Sequence, residues 1–150
     1  MPSMPKTKKT ATAVAGKRIL VVDDSSPTAT SLARLLQGAG FVPTVFHKGI
    51  EALQHVRDNG TDAAVIDIHL PDINGLILSH QLRDCLGSDK PIIVLSGDTS
   101  METLNSLPHV GATHFYSKPV NGSQLIGRLN ELLVEPGAAT GGDVPVNATQ

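Results

Sequence analysis

The stretch Ile19-Leu20-Val21-Val22-Asp23-Asp24-Ser25-Ser26-Pro27 decides the fold. Its apolar run reads as a buried strand, and it stops abruptly at two carboxylates. Ser25 or Ser26 can then cap a helix whose first turn accommodates Pro27. The expected buried stripe of that helix is Leu32, Leu35 and Leu36, and Gly38 and Gly40 end it. Strand, acidic turn and capped helix together make the opening unit of a βα repeat.

Short apolar runs go on alternating with segments of helical period down the chain, without an internal sequence repeat. Phe41 to Phe46 reads as a second strand, and Pro43 consigns it to a sheet edge because proline cannot donate to a central ladder. Ile50, Leu53 and Val56 mark a second helix that closes at Asn59-Gly60. Ala63-Ala64-Val65-Ile66 is a third, buried strand that runs into Asp67, and Gly75 to Leu86 follows with Leu78 and Leu82 at helical spacing. Ile92-Ile93-Val94-Leu95 is a central fourth strand ending at Ser96. Thr99 to Leu107 predicts a weak fourth helix stopped by Pro108, and Thr113 to Ser117 a more polar fifth strand suited to the other edge. Asn121 and Gln124 open a last helix striped by Leu125, Ile126, Leu129, Leu132 and Leu133. Three apolar strands between two compromised ones, joined by right-handed crossovers, predict a doubly wound (βα)5 flavodoxin-like three-layer sandwich with parallel order 2-1-3-4-5.

Composition is consistent with one domain. The chain has 150 residues, 40% hydrophobic and 17% charged, which is ordinary for a globular protein. A net charge of -2 with both signs dispersed gives no footprint for direct contact with nucleic acid or an anionic membrane surface. The single cysteine, Cys85, cannot form an internal disulfide and reads as a small core residue, and no apolar run is long enough to span a membrane. The cytoplasm is the expected compartment. Residues 1–16, with Lys6, Lys8 and Lys9, read as a disordered basic tail, and residues 136–150 as a second disordered tail poor in large apolar side chains. The folded domain is expected over 17–135.

Ligands of open α/β sheets bind beyond the carboxyl ends of the strands, where strand order reverses. Polar residues gather at that edge: Asp23 and Asp24 after the first strand, Asp67 after the third, Ser96 after the fourth and Lys118 after the fifth. Each alone has a bland explanation as a cap, a turn hydroxyl or a solvated charge. Their common edge makes coincidence a poor account. The histidines, by contrast, are scattered and none forms a zinc-like i, i+4 pair.

With those residues in place, the chain from about Lys17 to Val134 resembles the receiver domains of bacterial response regulators, with the chemotaxis regulator as the single-domain relative. The matching signals are Val21-Val22-Asp23-Asp24; Asp67 followed by Leu70-Pro71 and Gly75; Ser96-Gly97; Gly111-Ala112; and Lys118-Pro119, in family order. The resemblance implies that Asp67 accepts a phosphoryl group from a sensor histidine kinase or a histidine phosphotransfer protein. It implies Mg2+ as cofactor, held by Asp24, by Asp23 in support, by Asp67 and by the backbone carbonyl of His69. Such a cation offsets the cost of bringing three carboxylates together. Lys118 and Ser96 would serve the phosphoryl oxygens, and transfer would rest on positioning and charge stabilisation without a general base.

The resemblance also makes Ser96 and Phe115 the switch pair, changing a protein-binding face made by the fourth helix, fifth strand and fifth helix. It further suggests a cis Lys118-Pro119 peptide. Leu70 stands where methionine is common, Ser96 where threonine is commoner, and Phe115 lacks the hydroxyl of a tyrosine. The expected function is a non-enzymatic signalling module acting through noncovalent partners or phosphorelay, with homodimerisation left open. The alternatives are a receiver that binds partners without phosphorylation and an aspartyl-nucleophile phosphatase. The phosphatase needs a second acid two residues after Asp67, where His69 stands.

Overall fold

The computed structural model of the protein describes residues 15–97, 105, 112 and 114–133. The strands are β1 (Arg18–Val22), β2 (Val42–Phe46), β3 (Ala63–Asp67), β4 (Ile92–Ser96) and β5 (His114–Ser117). The helices are α1 (Ser26–Gly38), α2 (Gly49–Asn59), α3 (Gly75–Leu86) and α4 (Gly122–Leu133). Thus α4 is the expected fifth helix. The predicted fourth helix and Pro108 fall outside the described residues, Asn105 apart, as do Gly111 and the greater part of both tails.

All pairings are parallel in one sheet of order β2-β1-β3-β4-β5, as the strand compositions predict. Side chains alternate across a strand, so each central strand supplies two cores. Ile19, Val21, Val65, Ile93 and Leu95 face α1 and α4, where they pack with Leu32, Leu36, Leu125 and Leu129. Leu20, Val22, Ile66 and Ile92 face α2 and α3, where Leu53, Val56, Leu78 and Leu82 meet them. This two-sided burial is the physical reason that β1, β3 and β4 are continuous apolar runs. Fully burying one such leucine or isoleucine is worth about 1.5–3 kcal/mol, so the three central strands anchor the edge that carries the polar residues.

Three local expectations fail. Leu35 and Ile50, assigned to buried stripes, are 49% and 53% exposed, and Ala29 and Ala52 occupy the buried positions in their helices. The helical stripes are narrower than the apolar pattern, because α1 and α2 each lie against a single face of the sheet. Cys85 is exposed on the last turn of α3 and is no part of the core. Ser25 does occupy the N-cap of α1, but its hydroxyl donates to Thr28 Oγ1 at 3.0 Å and caps no backbone amide. Asn121, as expected, accepts from the Gln124 amide at 2.9 Å to start α4.

Candidate functional site

The carboxyl ends of β1, β3, β4 and β5 lie side by side, which converts residues far apart in sequence into one cluster. Asp23, one residue past β1, is only 2% exposed. Its amide donates to the Phe46 carbonyl at 3.0 Å, and its Oδ1 accepts the Ser25 amide at 2.9 Å. Its own carbonyl lies 2.8 Å from His47 Nδ1. A carbonyl can only accept, so that ring nitrogen carries the hydrogen. Asp24, the next residue, is exposed. Carboxylate oxygens of Asp23, Asp24 and Asp67 all lie within 4.8 Å of one another.

Asp67 ends β3 and is 5% exposed. Its Oδ1 accepts the His69 amide at 3.2 Å and its Oδ2 accepts Lys118 Nζ at 3.1 Å. The same ammonium donates to Asp23 Oδ2 at 3.2 Å, so one cation bridges two buried carboxylates. Lys118 is placed by its backbone, whose amide donates to the Ser96 carbonyl at 2.9 Å, and the Lys118-Pro119 peptide is cis. Ser96 is fully buried at the end of β4, in register with Ser117.

Electrostatics follow from this geometry. Burial pushes the Asp67 carboxyl above its ordinary value, and the hydrogen bond and charge of Lys118 only partly oppose it. For Lys118, burial pulls the ammonium down, but the hydrogen bond to Asp67 and the charges of Asp23 and Asp67 outweigh it and leave the group raised. The site is therefore short of positive charge. Clustered hard oxygen donors with one member open to solvent are the ligand chemistry that suits a small divalent cation such as Mg2+.

The loop after Asp67 is held tightly. The Gly75 amide donates to the Ile68 carbonyl at 2.7 Å, and Asn74 Oδ1 caps α3 through the Leu76 amide at 2.7 Å. A Cβ on Gly75 would collide with the Asp67 carbonyl oxygen and Ile68 Cα, backbone that cannot yield. Phe115 is half-buried opposite Val94, one alternation along the same sheet face from Ser96.

The structure thus gathers the carboxylates of Asp23, Asp24 and Asp67 into one cluster, with Lys118 bonded to the first and the last and with Ser96 and Phe115 on the adjoining strands. Two contributors escaped the sequence. His47, at the carboxyl end of β2, ties down the Asp23 carbonyl, and its only signal is its place on the polar edge. Asp72 accepts the Gly49 and Ile50 amides, a contact across 23 and 22 residues that no periodicity reveals.

Comparison with known proteins agrees with this geometry. The model of the response regulator receiver domain family matches residues 19–130. The response regulator MprA of Mycobacterium ulcerans is 36% identical over 116 residues, covering 77% of this chain and 50% of MprA. The sensory/regulatory protein RpfC of Xanthomonas campestris pv. campestris is 33% identical over 124 residues, covering 81% of this chain and 17% of RpfC. The chain spans about half the length of the MprA relatives it matches. Among solved structures, a CheY-like receiver domain protein from Methanospirillum hungatei superposes with a TM-score of 0.75 at 28% identity, covering 79% of this chain and 94% of that one. Chemotaxis protein CheY4 of Vibrio cholerae gives 0.73 at 29% identity, over 79% and 100%. With fold, motif order and family model in agreement, this chain belongs to the response regulator receiver domain family.

Proposed function

We propose that this receiver domain is a phospho-acceptor switch in which Asp67 takes a phosphoryl group from the phosphohistidine of a sensor histidine kinase or histidine phosphotransfer protein. One observation carries the reading: Lys118 bridges the buried carboxylates of Asp23 and Asp67, with Asp24 beside them on the solvent side. Asp23, Asp24 and Asp67, with the His69 carbonyl, are the groups to hold Mg2+, which when bound neutralises the carboxylates and the incoming phosphoryl oxygens.

The residues of the chain do the rest. A carboxylate oxygen of Asp67 attacks phosphorus, the P–N bond breaks, and its electron pair returns to the donor imidazole, leaving an acyl phosphate on Asp67. Lys118 supplies an ammonium already hydrogen-bonded to Asp67 Oδ2, and it exchanges a carboxylate for a phosphoryl oxygen. The Ser96 hydroxyl serves another. Its displacement toward the phosphoryl group opens space along the face it shares with Phe115, and burial of that ring alters the partner-binding face around β5 and α4. The output is a cytoplasmic protein–protein interaction, with no chemistry on a diffusible substrate.

Incubation with acetyl phosphate and Mg2+ tests this by intact mass. The expected result is a gain of one phosphoryl group in the wild type and none in Asp67→Asn or in excess EDTA. No gain where a control receiver reacts would instead favour a binding module that works without phosphorylation. Sustained turnover of phosphomonoesters would point to a phosphatase.

A further inference from the structure

Helix α2 begins without a cap of its own. Its N-cap residue is Lys48, whose side chain has no acceptor and makes no capping bond. Its first free amides are satisfied instead by Asp72, from the loop between β3 and α3. Oδ1 accepts from Gly49 at 2.8 Å and Oδ2 from Ile50 at 2.9 Å. Burial acts to raise the Asp72 carboxyl, but the amides of Ile50, Gly49 and Asp72 itself, with the charge of Lys48, hold it below the usual value. Asp72 is thus an anion at neutral pH, as a two-amide clasp requires.

The loop also rests on α2 through apolar contact. A Cβ at Gly49 would run into Ile73 Cγ2, and it would stand 3.3 Å from Leu70 Cδ1 and 3.2 Å from Leu78 Cδ2. The Ile68–Gly75 bond holds the loop at its base, where the Ile68 amide also donates to the Leu95 carbonyl at 3.1 Å, the Asn74 cap holds it to α3, and the Asp72 clasp holds it to α2. Between the base and the clasp lies His69, whose amide donates to Asp67.

We infer that Asp72 is a positioning residue: by clasping the first turn of α2 it fixes the segment from Ile68 to Pro71, and with it the His69 backbone, against the carboxylate cluster. The inference rests on the cation-binding role proposed above for Asp23, Asp24 and Asp67. It separates two jobs that one carboxylate performs, capping a helix and setting a loop.

The test compares the full chain as wild type, Asp72→Ala and the double variant Lys48→Ser/Asp72→Ala, since a serine hydroxyl at the N-cap would return a local cap to α2 without restoring the tether. Mg2+ affinity is read by isothermal titration, stability by urea midpoint, and the Gly49, Ile50 and His69 amides by hydrogen exchange. Groups that orient metal ligands are worth 10–100-fold in affinity, and Asp72 acts one step further out, so Asp72→Ala should weaken Mg2+ binding by about 3- to 10-fold. The double variant should recover the urea midpoint but keep the weakened Mg2+ binding and the faster His69 exchange. Unchanged Mg2+ affinity in Asp72→Ala, or affinity recovered together with the midpoint in the double variant, overturns the inference and leaves Asp72 a helix cap. Failure of the wild type to bind Mg2+ at millimolar concentration overturns the cation reading itself, and this inference with it.

Discussion

Replacing Lys118 by methionine removes the one ammonium that joins Asp23 to Asp67 while keeping most of the side-chain volume. Two charge-assisted bonds, at 3.1 and 3.2 Å, are lost, and two carboxylates that are 5% and 2% exposed are left facing each other. Removing one partner of a fully buried ion pair costs about 3–5 kcal/mol. Lys118 is itself 26% exposed, and a stranded carboxyl can take up a proton, so the expected cost without Mg2+ at pH 7.5 is about 2–3 kcal/mol. For a domain of this size that lowers Tm on the order of 10 °C.

The cost has a pH signature. Asp67 already titrates above its ordinary value because of burial, and loss of Lys118 removes the opposing influence and raises it further. A carboxyl raised in the folded state destabilises the fold above its folded pKa and has no such effect below its unfolded value of 3.8. The deficit of Lys118→Met should therefore be largest at neutral pH and shrink toward pH 4. Saturating Mg2+ should also shrink it, since the carboxylates stripped of Lys118 bind the cation more tightly than those of the wild type and the variant therefore gains more from mass action. Urea unfolding followed by circular dichroism at pH 7.5 and 4.5, with and without Mg2+, reads all of this. An equal deficit under every condition would show that the loss is one of packing, and the charge argument would fall.

Asp67→Asn should act in the opposite direction. Without Mg2+ it removes an ionised group that the folded site disfavours, so it should be more stable than the wild type at pH 7, with the advantage vanishing as pH falls below the unfolded value; a destabilised Asp67→Asn at neutral pH would contradict this. Gly75→Ala drives a methyl group into the Asp67 carbonyl and Ile68 Cα, so it should cost about 1–3 kcal/mol and weaken Mg2+ binding, whereas Gly127→Ala, with open space around it, should cost nothing on either readout.

How far the sequence reveals this molecule depends on the range of each interaction. β1, β3 and β4 are legible because burial on two faces leaves an unbroken apolar run, and the edges because Pro43 and the polar β5 exclude themselves from the centre. The site is legible for a related reason: its members stand immediately after strands, so strand order alone brings Asp23, Asp24, Asp67, Ser96 and Lys118 together. Helix faces are less legible. Leu35 and Ile50 continue an apolar spacing beyond the arc that contacts the sheet, and Cys85 shows that residue type alone does not place a side chain inside. Tertiary caps are least legible. Asp72 and His47 act on backbone groups distant in sequence, and the only trace of the first is a lysine where α2 needs an acceptor.

The claim that Asp67 is the acceptor is tested most directly by reductive trapping. The protein is phosphorylated in the presence of Mg2+, treated with borohydride, which reduces an aspartyl phosphate to the alcohol homoserine, and mapped by peptide mass spectrometry. Conversion should fall on residue 67 within the peptide that carries Ile68-His69-Leu70-Pro71, and it should disappear when Mg2+ is chelated. Conversion at Asp23, Asp24 or any other carboxylate, or none where a control receiver is converted, would contradict it.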